Sequence, residues 1–269
     1  MKPILIANWK MKLGLKESLD LTEKIKKGLI KKESKIHDRF IGVQDRWTKK
    51  LDVVLCPPFT ALSDVRKKIA NTGISLGAQD VFWEEKGAYT GEISAMQLKE
   101  VGVKYVIIGH SERRQNLNET DEMIHKKMRL ALEAGLIPVL CIGETYEERK
   151  DGQKDYVIAR ELIKALQGIK VNDRQKIIIS YEPVWVIGTG QAVESDEAEL
   201  SAKFIKNSLL DLFSKEFIDN NAAIVYGGSV SSRDAKNFFD QPAIDGALVG
   251  AASLDAKEFL AIINKILDL

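Results

Sequence analysis

The chain carries only two cysteines and three histidines in 269 residues. Cys56 and Cys141 lie in apolar, strand-like runs without metal-ligand spacing. That sets aside a disulfide framework or a zinc site and reads as two buried, reduced thiols. His37, His110 and His125 form no histidine cluster of the kind a metal-dependent sugar-phosphate epimerase needs at its strand ends. Charge of one sign is also missing: 40 Lys and Arg stand against 39 Asp and Glu, for a net charge of +1. Such a balance gives no overall attraction to nucleic acid or to an anionic membrane, so any anion must be held at a local site. No apolar run approaches the length of a membrane span, and the one at Ile4–Ala7 is too short for a secretory signal. The expectation is a cytoplasmic protein with no nucleic-acid or membrane partner. No Pro/Gly/Ser-rich linker and no composition shift divides the chain, so residues 1–269 are read as one domain.

Short, β-branched apolar runs recur at Ile4–Ala7, Val53–Cys56, Ile74–Gly77, Tyr105–Ile108, Ile137–Cys141, Ile177–Tyr181, Ala223–Tyr226 and Gly246–Val249. Between them the apolar residues fall at three- and four-residue spacing, as in Leu19, Ile25, Leu29 and Ile30, or Ile158, Leu162, Ile163 and Leu166. Strands that are apolar throughout are covered on both faces, as in a parallel sheet. Eight strand–helix units in one chain of this length predict an α/β fold, a closed (β/α)8 barrel, with a doubly wound open sheet as the alternative. One connection is long: residues 31–51 mix charge with Phe40, Ile41, Val43 and Trp47, and are read as an extension of the first helix or a packed excursion on the N-terminal face.

In a barrel of this kind the functional groups collect where strands end. Asn8, Trp9 and Lys10 follow the first strand; His110, Ser111, Glu112, Arg113 and Arg114 follow the fourth; Glu182 opens the segment after the sixth. Gly227-Gly228-Ser229 and Gly250-Ala251 follow the last two. Five segments resemble the triosephosphate isomerase family: ANWK at 7–10, GAQDVFWEEKGAYTGE at 77–92, YVIIGHSERR at 105–114, YEPVWVIGTG at 181–190 and YGGSV at 226–230. They occur in order over nearly the whole chain, apart from the connection at 31–51.

The resemblance implies a cofactor-free, metal-free isomerase interconverting dihydroxyacetone phosphate and glyceraldehyde 3-phosphate through an enediolate. Glu182 would be the base and His110 a neutral electrophile, which suits a residue at a helix N-terminus, where a protonated imidazole is disfavoured. Lys10 and Asn8 would bind the substrate, with Glu112 behind Lys10, and Arg113 and Arg114 would serve as structural ion-pair partners. Gly188, Ser229, Gly250 and Ala251 match the family's phosphate-binding positions, where backbone N–H groups hold the anion. Ala251 stands where a second glycine is common, and is tolerable if its φ is negative. Val186–Gly190 resembles the family's lid, with Val186 and Gln191 as variants, and Tyr226 and Ser229 as its closed-state partners. The loop Phe82–Glu92 resembles the one that docks into a second subunit, implying a homodimer, with Phe82 and Trp83 expected to be exposed. The competing readings are another sugar-phosphate (β/α)8 enzyme and a catalytically silent scaffold.

Overall fold

A computed structural model describes residues 2–34 and 47–268, the side chains of 31–34 excepted. Most of the long connection, with His37, Phe40, Ile41 and Val43, lies outside the described residues. Its end does not: Trp47 opens a short helix, Trp47–Lys50, and is buried.

Eight strands form one closed parallel barrel in sequence order. They are β1 (Ile4–Asn8), β2 (Asp52–Cys56), β3 (Ser75–Ala78), β4 (Tyr105–Ile108), β5 (Ile137–Ile142), β6 (Ile177–Tyr181), β7 (Ala222–Tyr226) and β8 (Gly246–Val249). Closure is made by β1 against β8, in the register Ile4 to Gly246 through Ala7 to Val249. Each run read from the sequence is a strand, to within a residue at either end. The open doubly wound sheet is thereby set aside.

The two-residue period of a strand sorts the side chains between two cores. Ile4, Ile6, Val54, Cys56, Tyr105, Ile107, Val139, Cys141, Ile178, Val225 and Leu248 fill the barrel interior. Their neighbours, among them Leu5, Leu55, Val106, Leu140, Ile179 and Ile224, pack outward against the helices. The interior is filled to contact: a Cβ placed at Gly77 lies 2.4 Å from Cys56 Sγ. Only glycine fits there.

Helices return on the outside, and their caps follow from sequence. Ser94 and Gln97 form a reciprocal cap at the start of Ala95–Val101, and Thr145 with Glu148 does the same for Tyr146–Lys150. In the helix Asp121–Glu133 the buried stripe is Ile124, Lys127, Met128 and Ala131, and in Lys154–Leu166 it is Val157, Ile158, Glu161, Leu162 and Ala165. Each stripe thus includes one charged residue. Ile30 and Ile163, read as core from their spacing, face solvent instead.

Candidate active site

The C-terminal ends of the strands bring together Asn8, Lys10, His110, Glu112, Glu182 and Gly250. Lys10 is one of three non-glycine residues with positive φ among the described residues, at 52°. That conformation costs on the order of 1 kcal/mol or more, and holding it needs local bonds. Asn8 Oδ1 accepts the Lys10 N–H at 3.0 Å, and Gln79 Nε2 donates to the Lys10 carbonyl at 2.9 Å and to that of Cys56 at 2.9 Å. The turn aims the ammonium across the barrel mouth, where Nζ donates to Glu112 Oε1 at 2.7 Å. The stem passes Gly250, at which a Cβ would lie 3.3 Å from Lys10 Cε. The ends of β1 and β8 therefore share one surface.

His110 caps the helix Ser111–Leu117, and its Nδ1 accepts the Glu112 N–H at 3.2 Å. A ring nitrogen that accepts carries no proton. The imidazole is thus neutral, with its hydrogen on Nε2 and available to donate. Nε2 lies 3.4 Å from Glu182 Oε1 without the alignment of a hydrogen bond.

Glu182 is 1% exposed, just past the end of β6. Its Oε2 accepts the Ser111 N–H at 2.9 Å, while Oε1 is buried without a hydrogen-bond partner. A carboxylate held by one oxygen and unpartnered at the other can accept a proton from a carbon brought beside it. The backbone of Glu182 is fixed by its N–H to the Ile142 carbonyl at 2.8 Å. Gly143 packs against it so closely that an added Cβ would lie 1.8 Å from the Glu182 carbonyl oxygen.

A family model described as triosephosphate isomerase matches residues 3–266. Proteins named triosephosphate isomerase from Alkaliphilus oremlandii and from a Thermoanaerobacter species are each 44% identical over 263 residues, covering 98% of this chain and 99% of theirs. One from Dictyoglomus turgidum is 42% identical over 266 residues, with the same coverage.

The chain belongs to the triosephosphate isomerase family.

The segment Val186–Gly190, which resembles the family's lid, is exposed at its tip, and apart from its chain neighbours no heavy atom of the described residues lies within 4 Å of the place a Cβ would take at Gly188. Its roots are anchored. Buried Glu144 accepts from Tyr181 Oη at 3.2 Å and from Trp185 Nε1 at 3.2 Å, and Arg149, paired with Glu197, stacks 4.9 Å over the Trp185 ring. At the far root Tyr226 Oη accepts the Val193 N–H at 3.4 Å. Ala251 begins the short helix Ala251–Leu254 and is absent from the positive-φ residues, so alanine is unstrained there and its N–H is retained.

Arg113 and Arg114 pair as expected. Arg113 reaches Asp80 at 2.8 Å and Glu119 at 2.5 Å; Arg114 reaches Asp121 at 2.6 Å. Lys127, 2% exposed, joins the first group at 2.7 Å from Asp80 and 2.6 Å from Glu119. Burial pushes the Asp80 carboxyl up to about 6; Lys127 opposes that rise and Glu119 adds to it. This cluster, Gln79, Gly143 and Glu144 were not singled out from sequence. The charged residue inside an otherwise apolar helical stripe is the signal that marks Lys127. Phe82 and Trp83 are not the exposed pair expected: Phe82 is buried, its ring 4.1 Å from Trp83 and 4.8 Å from Tyr89. The Phe82 ring packs on the other two, and the exposed part of the loop is residues 84–92.

Proposed function

We propose that the protein interconverts dihydroxyacetone phosphate and D-glyceraldehyde 3-phosphate, with Glu182 as base and neutral His110 as electrophile. The observation that carries this reading is the pair itself: an open carboxylate oxygen facing an imidazole Nε2–H, beside an ammonium at the barrel mouth. Membership of the family supports it across the chain.

The Glu182 carboxylate takes a proton from the carbon next to the carbonyl, and the C–H electron pair moves to form the enediolate. His110 Nε2–H and the Lys10 ammonium stabilise the charge that develops on oxygen, an effect that grows once water is excluded. Glu182 then returns the proton to the neighbouring carbon. Asn8 keeps Lys10 in its turn and adds a polar group beside it, and Glu112 holds the ammonium until substrate arrives. Backbone N–H groups of Gly188, Ser229, Gly250 and Ala251 receive the phosphate when the lid closes. None of these steps calls for a metal or cofactor. Among the described residues, no group of three or more His, Cys, Asp and Glu is placed to hold a metal ion.

The whole chain serves as one domain, and it works as a homodimer through the Phe82–Glu92 loop. A hollow of about 760 Å³ that opens from the site, lined by Asn8, Lys10, His110 and Glu112 and by Met11 and Leu117, supports that reading. Met11 is 95% and Leu117 61% exposed in one protomer, and a protruding loop from a second copy would cover them. A cytoplasmic setting accords with the two free, buried cysteines. Among the described residues no helix is long and apolar enough to cross a membrane.

The test is isomerisation of glyceraldehyde 3-phosphate in deuterium oxide. Turnover with deuterium appearing on carbon in the product supports proton transfer through a base. Turnover that carries no label and persists in Glu182→Gln would point to a hydride shift and remove Glu182 from its role. No turnover by folded protein would favour the silent scaffold.

A further inference from the structure

Glu161 belongs to the buried stripe of Lys154–Leu166, on the outside of the barrel, and its side chain is 7% exposed. Its two oxygens divide their work. Oε2 accepts the Gly143 N–H at 3.0 Å, and Oε1 faces Arg114 Nη1 at 3.5 Å and Arg160 Nη2 at 3.8 Å. Gly143 is the residue whose Cα leaves no room against the Glu182 carbonyl. Arg114 in turn donates from Nε to the Gly109 carbonyl at 2.9 Å and from Nη2 to the Cys141 carbonyl at 3.5 Å. Gly109 has a φ of +74° and immediately precedes His110. One carboxylate therefore ties the backbone that seats Glu182 to the backbone that launches His110.

We propose that Glu161 is a positioning residue for the isomerisation, setting the separation of Glu182 and His110 through its acceptor contact to Gly143 and its pairing with Arg114. The proposal rests on the functional reading above. Both charge states of the carboxyl retain an oxygen that accepts from Gly143. Burial pushes Glu161 up to about 7, with Arg114 and Arg160 pulling it back and Asp121 adding to the rise. Lys164 on the same helix, His125 and Glu122 on Asp121–Glu133, and Glu119 line the same cavity of about 720 Å³, and Glu148 reaches Arg160 at 3.7 Å. The acceptor oxygen, rather than the negative charge alone, is the essential feature.

The experiment compares E161Q, which keeps an acceptor, with E161A and E161L, which lack one and differ in volume. Displacing a reacting group by a fraction of an ångström to 1 Å costs roughly 10- to 100-fold in rate. E161A and E161L should lose about that factor in kcat with KM within about threefold of wild type, and E161Q should keep kcat within about threefold. Amide exchange over residues 142–145, read by mass spectrometry, should quicken in E161A and E161L and not in E161Q. Whichever of the two acceptor-free variants is the better folded suffices. Wild-type kcat in either, equal losses in all three, or unchanged exchange over 142–145 would overturn the proposal. Absence of turnover in the wild type would instead sink the functional reading, and the exchange result would still report on the Glu161–Gly143 contact.

Discussion

Glu182 Oε1 and His110 Nε2 face each other at 3.4 Å, and the oxygen has no hydrogen-bond partner among the described residues. The imidazole is held in the Nε2–H tautomer because Nδ1 accepts from the Glu112 N–H. Base and electrophile are thus in contact, each fixed from behind by backbone. A planar enediolate lying alongside both meets a proton acceptor and a hydrogen-bond donor at once.

The seat of the base is tight enough to test. Gly143→Ala puts a methyl group 1.8 Å from the Glu182 carbonyl oxygen, so the two backbones must separate. We expect kcat to fall by about tenfold or more, with a lower melting temperature. Wild-type kcat in a normally folded Gly143→Ala protein would mean that this contact does not position Glu182.

Lys10 is held in a left-handed turn with its ammonium on Glu112, the carboxylate an incoming phosphate ester would compete with. Lys10→Met should weaken phosphate-bearing inhibitors by roughly tenfold or more, the worth of one charge-assisted hydrogen bond. Calorimetric titration measures this directly. Unchanged affinity would place the anion away from Lys10.

Lys127 neutralises two buried carboxylates, Asp80 and Glu119, beneath the loop that carries Phe82. Lys127→Met removes the cation and strands both acids with Arg113 alone. The expected cost is about 3–5 kcal/mol in urea unfolding at neutral pH. A loss under about 1 kcal/mol would show that the acids simply take up protons.

Glu161 predicts a pH dependence of stability. Its folded value is about 7 against an ordinary 4.5, so the folded state binds more protons between those limits. Stability contributed at this position is therefore lost as pH rises from about 4.5 towards 7, by up to roughly 3 kcal/mol. E161Q has no proton to lose. The unfolding free energy of E161Q should gain on wild type between pH 5 and pH 8, and a constant difference would contradict the assignment. The raised Asp80 carboxyl is common to both proteins and cancels.

The barrel was legible because eight uninterrupted apolar runs leave few alternatives, and strand ends then nominate Asn8, Lys10, His110 and Glu182. Gln79, Gly143, Glu144 and Glu161 were harder to see, since each acts through a backbone group of another element. No local pattern marks a glycine that is pressed against a distant carbonyl. Glu161 and Lys127 do leave a trace, as charges at core positions of amphipathic helices. Phe82 was misjudged because an aromatic in a protruding loop can satisfy itself against Trp83 and Tyr89 as well as against a partner.

The account depends most on Glu182, and the direct measurement is kcat for glyceraldehyde 3-phosphate isomerisation by wild type and Glu182→Gln side by side. The amide keeps an oxygen for the Ser111 N–H and loses the basicity. We predict fast wild-type turnover, a loss of about 10²- to 10⁴-fold in the variant and a KM within a few-fold. Comparable kcat in the two proteins would contradict the assignment of the base and, with it, the mechanism.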